Sequence, residues 1–344
     1  MPLDINPCDL PVLLLYNVEP AWTSREKAEV ISLTSQLGEA MSAVSHPVTP
    51  VPLANPDISS VLKSYSPQSN IVLNWCESVP GIPHSEPLVA RSLESLGFTF
   101  TGASSAALAL SQDKRRVKEI LEQSTIPTPQ WRVFDRPAAD GWNQFPAIVK
   151  AVYEHCSEGI TCDSVVMTEA ELVKRIAFIL EVYRQPALVE EFIDGREFHV
   201  SFWGNGHVTM LPPAEMDFSR FSDVHDRLCT YESKCVPGSL HYEGIQTLLP
   251  APLEKDELRA LEQVCKAAYV MMGCRDYGRI DVRVRDGIHY VLDVNPNADI
   301  SADASLACAA ELAGFPYGEM GSRIVRLAAR RHQVWSNASS NEQS

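Results

Sequence analysis

Neither G-x-x-x-x-G-K-[ST] nor G-x-G-x-x-G occurs anywhere in this chain. A P-loop or a Rossmann cradle is therefore not how it would hold a phosphate. Basic residues are also scarce, 29 lysines and arginines against 44 aspartates and glutamates, a formal charge of -15. A general nucleic-acid or membrane-surface binder needs a broad basic face, so neither is expected as a partner. Any phosphate site must be built locally from a few lysines and arginines. Long apolar runs are missing too. None approaches the length that spans a bilayer, and the run at 12–16 is too short, and too poor in basic flanks, for a signal peptide. The nine cysteines are scattered, odd in number and free of any Cys-x-x-Cys pair. They read as reduced thiols of a cytoplasmic protein rather than a disulfide frame or a zinc site. The nine histidines show no ligand spacing either, and there are no internal repeats.

What is present is ordinary globular material, 45% hydrophobic and 21% charged over 344 residues, enough for two or three subdomains with sizeable cores. Residues 10–16 read as a buried strand and 24–41 as an amphipathic helix. The proline-rich stretch 47–56 reads as a loop, 70–74 as a strand, and 86–96 as a helix stopped by Gly97. That alternation predicts a small α/β unit with a parallel sheet. Further on, 104–110 and 113–123 read as helices, 147–150 as a strand and 168–183 as a helix. A strand over 187–192 is expected to continue through Asp194-Gly195 into 197–203. A helix over 254–272 carries Leu258, Leu261, Val264, Cys265 and Ala268 on one stripe, with Gly273 as its cap.

The last third holds the most specific signal. Gly278-Arg279-Ile280-Asp281-Val282-Arg283-Val284 is followed by Tyr290-Val291-Leu292-Asp293-Val294-Asn295-Pro296-Asn297. As neighbouring strands these put Arg279, Asp281 and Arg283 on one face, and Asp293 and Asn295 on one face, because side chains alternate. Two carboxylates and an amide oxygen form an oxygen-only site suited to Mg²⁺ rather than zinc. A simple two-residue turn at Asp286-Gly287 would set Asp281 opposite Leu292 and separate the aspartates. A three-residue loop or a bulge is therefore expected, to restore a common face.

Upstream lie Lys114 at a helix start, Lys150 at a strand end, and the loop Glu154-His155-Cys156-Ser157-Glu158-Gly159-Ile160. Then come Glu190-Glu191-Phe192-Ile193-Asp194-Gly195-Arg196-Glu197, and Lys234 in a long loop. In this order the residues resemble the ATP-grasp enzymes, most closely the D-alanine–D-alanine ligases, over about 74–325. The stretches Asn74-Trp75-Cys76-Glu77 and Leu93 to Gly102 are similar to that family's first domain.

The resemblance implies an α/β ATP-grasp fold with α+β character in its C-terminal half. An N-terminal parallel-sheet domain would cover 1–109, a central lid 110–190, and a C-terminal domain with an antiparallel sheet 191–335, before a disordered tail at 336–344. It implies an ATP-dependent ligase that joins a carboxylate to an amine, amino acids by preference, through an acyl phosphate. Two Mg²⁺ ions, replaceable by Mn²⁺, would sit on Asp281, Asp293 and Asn295. Lys114 and Lys150 would hold the α- and β-phosphates, and the Ser157–Gly159 loop would close over them as an anion nest. Glu190 would face the adenine amino group, with backbone contacts from Glu191, Phe192 and Ile193, and Glu197 would accept from the ribose. Arg279, Lys234 and Ser157 would serve the transfer itself. A homodimer is compatible with this reading. The rival reading is a non-catalytic ATP-binding protein whose loops signal to a partner.

Some positions depart from the family pattern. Cys156 stands where relatives carry serine and Cys235 where they often carry tyrosine, so the hydrogen-bonded closure network must differ. Glu19 and Glu26 are both candidates for the amino-terminal glutamate of that network. Asp293 replaces the commoner glutamate. Asp299 sits at the turn whose backbone holds the second substrate's carboxylate in relatives, and would disfavour that group.

Overall fold

The structure, a computed structural model, describes residues 10–44 and 46–336, with the side chains of Lys234 and Cys235 excepted. The expected tail beyond Ser336 lies outside the described residues.

Strand β1 (Val12–Asn17) is buried at all six positions and forms the middle of a parallel sheet. With β2 (Val48–Leu53), β3 (Ile71–Trp75) and β4 (Thr99–Phe100) the order is β2-β1-β3-β4. Apolar runs such as Val12 to Leu15 suit a strand covered on both faces. Helix α1 (Ser24–Ala43) opens on a capping box between Thr23 and Glu26, while α2 (Ile58–Leu62) and α3 (Glu86–Ser95) cover the other face. The proline-rich stretch expected as a loop is instead strand β2. It lies at the sheet edge with Pro50 opposite Leu14 and Pro52 opposite Tyr16. An edge strand tolerates residues without an N–H, because only one side of it is paired.

Helices α4 (Ser105–Ser111) and α5 (Lys114–Gln123) lead into an antiparallel sheet of β5 (Trp131–Phe134), β6 (Ala147–Ala151), β7 (Val165–Val166) and β8 (Ala187–Glu191), in the order β5-β8-β6-β7. Helix α6 (Glu169–Val182) packs on it through Leu172, Ile176 and Ile179. The strand expected to run on from 187 through 203 is two strands in two sheets. β8 ends at Glu191, and β9 (Arg196–Asn205) starts the third sheet after Asp194-Gly195. An added Cβ at Gly195 would lie 2.1 Å from the Val284 carbonyl oxygen, so a side chain has no room at this crossing.

The third sheet is antiparallel throughout, ordered β12-β11-β9-β13-β14 with β10 also on β9. Its strands are β9, β10 (His207–Met210), β11 (Ala214–Asp217), β12 (Gln246–Leu248), β13 (Tyr277–Arg285) and β14 (Ile288–Asn295). Two short helices, α7 (Glu232–Cys235) and α8 (Leu240–Gly244), interrupt the long connection between β11 and β12. Helix α9 (Lys255–Met271) lays Leu261, Cys265 and Ala268 on the sheet, and α10 (Ser305–Leu312) and α11 (Tyr317–Ala329) follow. This is the α/β arrangement expected, a parallel sheet first and antiparallel sheets after it.

The end of the chain returns to its beginning. Ile324, Val325 and Ala328 of α11 share one buried cluster with Val12, Leu14, Leu37 and Met41. A Cβ on Gly318 would lie 2.2 Å from the Ala40 carbonyl oxygen, so α1 and α11 meet backbone to backbone. Asp276, fully buried, ties three regions. It accepts from Gly102 N (2.9 Å), from Asn205 Nδ2 (2.8 Å), and from both Nη atoms of Arg331 (2.6 and 2.7 Å). No helix among the described residues is long and apolar enough to cross a membrane.

Candidate active site

The β13–β14 hairpin turns on Asp286 and Gly287, both in the left-handed region at φ 53° and 77°, as a two-residue turn requires. The expected register correction takes the form of a bulge. Arg283 pairs with Tyr290 and Val282 with Val291, the register shifts, and Asp281 then faces Asp293 and Arg279 faces Asn295. Leu292 is the extra residue. Directly opposed residues of an antiparallel pair share a face, so the three proposed metal ligands converge.

The protein's own groups contact these acids. Arg279 forks onto Asp281, Nε to Oδ1 at 2.7 Å and Nη2 to Oδ2 at 3.0 Å, and Asn295 Nδ2 donates to Oδ2 at 3.1 Å. Burial would lower the Arg279 pKa, but the carboxylate beside it wins and raises it. Asp293 Oδ1 accepts from Val294 N (3.0 Å), and its Oδ2 lies 3.8 Å from Lys114 Nζ. Lys114 also donates to the Glu154 carbonyl at 2.6 Å.

A cleft opens between this hairpin and the β6–β8 sheet, with Lys150, Glu190, Glu197 and His199 on its walls. The structure puts the Glu190 carboxylate, 1% exposed, between two ammonium groups. Lys150 Nζ lies 2.5 Å from Oε2 and Lys118 Nζ 2.5 Å from Oε1. Burial alone would raise the Glu190 pKa; the two lysines overcome it and hold it at about 2. Lys118 feels the opposite balance, its burial outweighing Glu190, so its pKa is lowered. Lys118 also donates to Thr128 Oγ1 (2.8 Å) and to the carbonyls of Val291 (3.2 Å) and Leu292 (3.0 Å). It thereby ties α5 to the bulge. The resemblance set the Glu190 side chain against an adenine amino group; in the fold that side chain is engaged by two lysines.

The neighbouring backbone is partly committed as well. Glu191 N donates to Gln130 O and Phe192 N to Pro146 O, so these two residues have carbonyls rather than amides to offer. Glu197 is held by Arg283 Nε at 2.7 Å with His199 Nε2 3.6 Å away. Burial pushes its pKa up, while Arg283 and His199 bring it to about 2. Arg283 also donates to Ile193 O (2.9 Å) and Arg227 O, and lies over the rings of Phe192 and Phe218. It fastens the β8–β9 crossing and the 218–235 loop to β13.

The 154–160 loop carries Cys156, Ser157 and Gly159 at φ 54°, 62° and 73°. A run of left-handed residues turns backbone N–H groups toward one side. Arg175, itself buried, anchors the loop by donating to Gly159 O at 2.6 Å. Burial, then the Lys114 ammonium, lower His155 to about 4, so it is neutral at physiological pH. Of the two amino-terminal candidates, Glu26 is spent on the α1 cap. Glu19 accepts from Ser78 Oγ (2.7 Å) and Gly81 N (2.8 Å) at the end of β1 that faces the β3–α3 loop. The side chains of Lys234 and Cys235 lie outside the described residues.

Sequence reasoning missed Lys118, His155 and His199. Lys118 gave a faint signal: it is the basic residue on the stripe of Val117 and Leu121, the buried face of α5. His155 and His199 carried none.

Beyond the hairpin the chemistry changes. Asn297 Nδ2 donates to Glu86 Oε1 at 2.7 Å, and its Oδ1 accepts from Ala103 N at 2.8 Å. Burial first, then Glu77, raise Glu86 to about 8 against the pull of Asn297. Burial and Asp299 raise Glu77 as well. Three acids thus crowd the turn after β14.

Three comparisons bear on this arrangement. A family model described as the D-ala D-ala ligase C-terminus matches residues 120–326. A Marinomonas D-alanine–D-alanine ligase is 32% identical over 245 residues, 70% of this chain and 72% of that protein. A protein of Sinorhizobium fredii named as uncharacterised is also 32% identical, over 77% of this chain and 76% of its own length. The crystal structure of D-alanine–D-alanine ligase from Bacillus anthracis complexed with ATP superposes with a TM-score of 0.69 at 19% identity, covering 94% of this chain and 99% of that one.

Proposed function

From the premise that this chain belongs to the D-alanine–D-alanine ligase family, we propose that it joins a carboxylate to an amine using ATP. An acyl phosphate forms first, and the amine displaces its phosphate to give an amide, ADP and inorganic phosphate. The observation that carries this reading is the common face of Asp281, Asp293 and Asn295 beside Lys114 and Arg279. That donor set is all oxygen, which fits Mg²⁺ or Mn²⁺ and not a softer ion. Such ions, when bound, neutralise charge on the transferring phosphoryl group.

The chain's own groups do the rest. Lys114 and Lys150 point into the cleft as point charges for phosphate oxygens. The 154–160 loop offers backbone N–H groups from its left-handed run, and Ser157 its hydroxyl. The carbonyls of Glu191 and Phe192 face the adenine amino group, with the Ile193 backbone beside them, and Glu197 has the oxygen not held by Arg283 for a ribose hydroxyl. Asp281, Asp293 and Asn295 would hold the cation, and Arg279, forked onto Asp281, would brace the acyl phosphate beside it. Lys234 serves the transferred phosphoryl group, and closure of the connection between β11 and β12 shuts water out. Glu19 is the amino-terminal acid placed to orient a substrate ammonium.

The acid-rich turn argues about the second substrate. Glu77 and Asp299 oppose a carboxylate in their vicinity, so an amine without one is favoured there. Phosphate release is to be measured over a matrix of amino acids, with D-alanine and D-alaninamide as alternative amines. Turnover should need ATP and Mg²⁺, and Asp281→Asn should lower kcat about 100- to 1000-fold without shifting the melting temperature downward. If no carboxylate–amine pair releases phosphate, the ligase reading is wrong. If D-alanine outruns its amide, only the argument from the acidic turn is lost.

A further inference from the structure

Cysteine spacing alone suggests no zinc site, but the folded chain brings three ligand types together. Cys162 opens the 3-10 turn Cys162–Ser164, Asp226 closes the 3-10 turn Val224–Asp226, and His241 lies in α8. Cys162 Sγ is 3.2 Å from Asp226 Oδ1 and 3.8 Å from His241 Nε2, and Nε2 is 3.5 Å from the same Oδ1. Tetrahedral zinc, with Zn–S about 2.3 Å and Zn–N or Zn–O about 2.0 Å, sets such ligand atoms about 3.3–3.6 Å apart. The triangle thus needs shifts of only a few tenths of an ångström to accept the ion.

The surroundings agree. His241 is 3% exposed, and its ring is stacked on Phe221 at 5.2 Å, which fixes the direction of Nε2. A cleft beside the one holding Asp281 is lined by Thr161, Cys162, Tyr231, Glu232 and His241. It gives an ion a way in and leaves its fourth position to solvent. Thiolate, imidazole and carboxylate together select zinc-class ions over Mg²⁺, which takes oxygen.

We propose that Cys162, Asp226 and His241 form a binding site for a zinc-class divalent cation, separate from the oxygen site on the hairpin, that staples the segment after Gly159 to the 218–245 connection. On binding, the thiol proton leaves to solvent and a sulfur–metal bond replaces the thiol's hydrogen bond to Asp226. No electron transfer is involved. Until then the thiol is inert, since burial and then Asp226 push it up to about 11.

The site is tested with Co²⁺ as a spectroscopic probe on the full chain, free of ATP. One equivalent should give a thiolate-to-cobalt charge-transfer band with intense tetrahedral d–d bands, both removed by added Zn²⁺. Cys162→Ser should abolish the charge-transfer band, and Cys229→Ser should keep it. The second variant matters because Cys229 lies near Glu197 and His199 in the other cleft. Zn²⁺ should also slow deuterium exchange over 159–164 and 224–244 in the parent chain and not in Cys162→Ser. A missing charge-transfer band, or one that survives Cys162→Ser or follows Cys229, overturns the proposal. These readouts are independent of ligase turnover.

Discussion

The β13–β14 hairpin and the turn that follows it are neighbours in the chain and opposites in electrostatics. Each acid in and around the hairpin meets a base: Asp281 meets Arg279, Glu197 meets Arg283, and Glu190 meets two lysines. Beyond Asn295 the acids meet each other and an amide, with Glu86 answered by Asn297 and Glu77 faced by Asp299. Paired charges hold a fixed frame for a ligand that is the same for every ATP-dependent relative. Opposed charges make a site whose protonation and contents are open to change, and the proposed function puts substrate choice there. The nucleotide half should therefore resist substitution in its own way and the substrate half in another.

The largest effect is expected at Lys118. Lys118→Met leaves a buried carboxylate with one partner and takes a donor from the Val291 and Leu292 carbonyls, of which Val291 keeps Thr128 Oγ1. Losing one partner of a buried pair costs about 3–5 kcal/mol, which urea unfolding will show. An unchanged midpoint would mean that the Lys118–Glu190 pair is not part of the frame. At the border between the halves stands Gly102, φ 86°, where an added Cβ would lie 2.2 Å from Asn297 Oδ1. Gly102→Ala should cost about 1–3 kcal/mol and displace Asn297 from Glu86. A variant as stable as the parent, with unaltered amine KM, would separate the two residues. The smallest effect concerns pH. The folded state raises Glu86 from its ordinary value of 4.5 to about 8, so it binds a proton that the unfolded chain has lost. Stability is then present in full below about 4.5 and falls as pH rises through 8, by on the order of 1 kcal/mol or more. Glu86→Gln should flatten that limb. A parent chain with no decline over this window would place Glu86 in water.

Much of the hairpin was legible because its signals are local. The alternation of Arg279, Asp281 and Arg283, and of Asp293 and Asn295, is written in adjacent residues, and the demand for a common face implied an irregular register. The structure met that demand with a bulge at Leu292 rather than a longer loop. Strand β2 was hidden because Pro50 and Pro52 read as loop until the edge position excuses them. The break between β8 and β9 was hidden because nothing local says that two successive strands belong to different sheets. Lys118 looked like one of four basic residues on α5, and only the fold shows which one turns inward. The same holds for Cys162, Asp226 and His241, which share no spacing and meet only when two connections cross.

The intimate fit of α11 against α1 has a consequence for how the molecule comes into being. Val12 and Leu14 lie in the same cluster as Ile324, Val325 and Ala328, so β1 cannot be sealed until α11 has followed it from the ribosome. The β1 sheet must wait half-covered while the residues between β1 and α11 are made, although domains commonly settle in the order they are made. Chaperone capture of the nascent chain should therefore persist until residue 329 has cleared the exit tunnel.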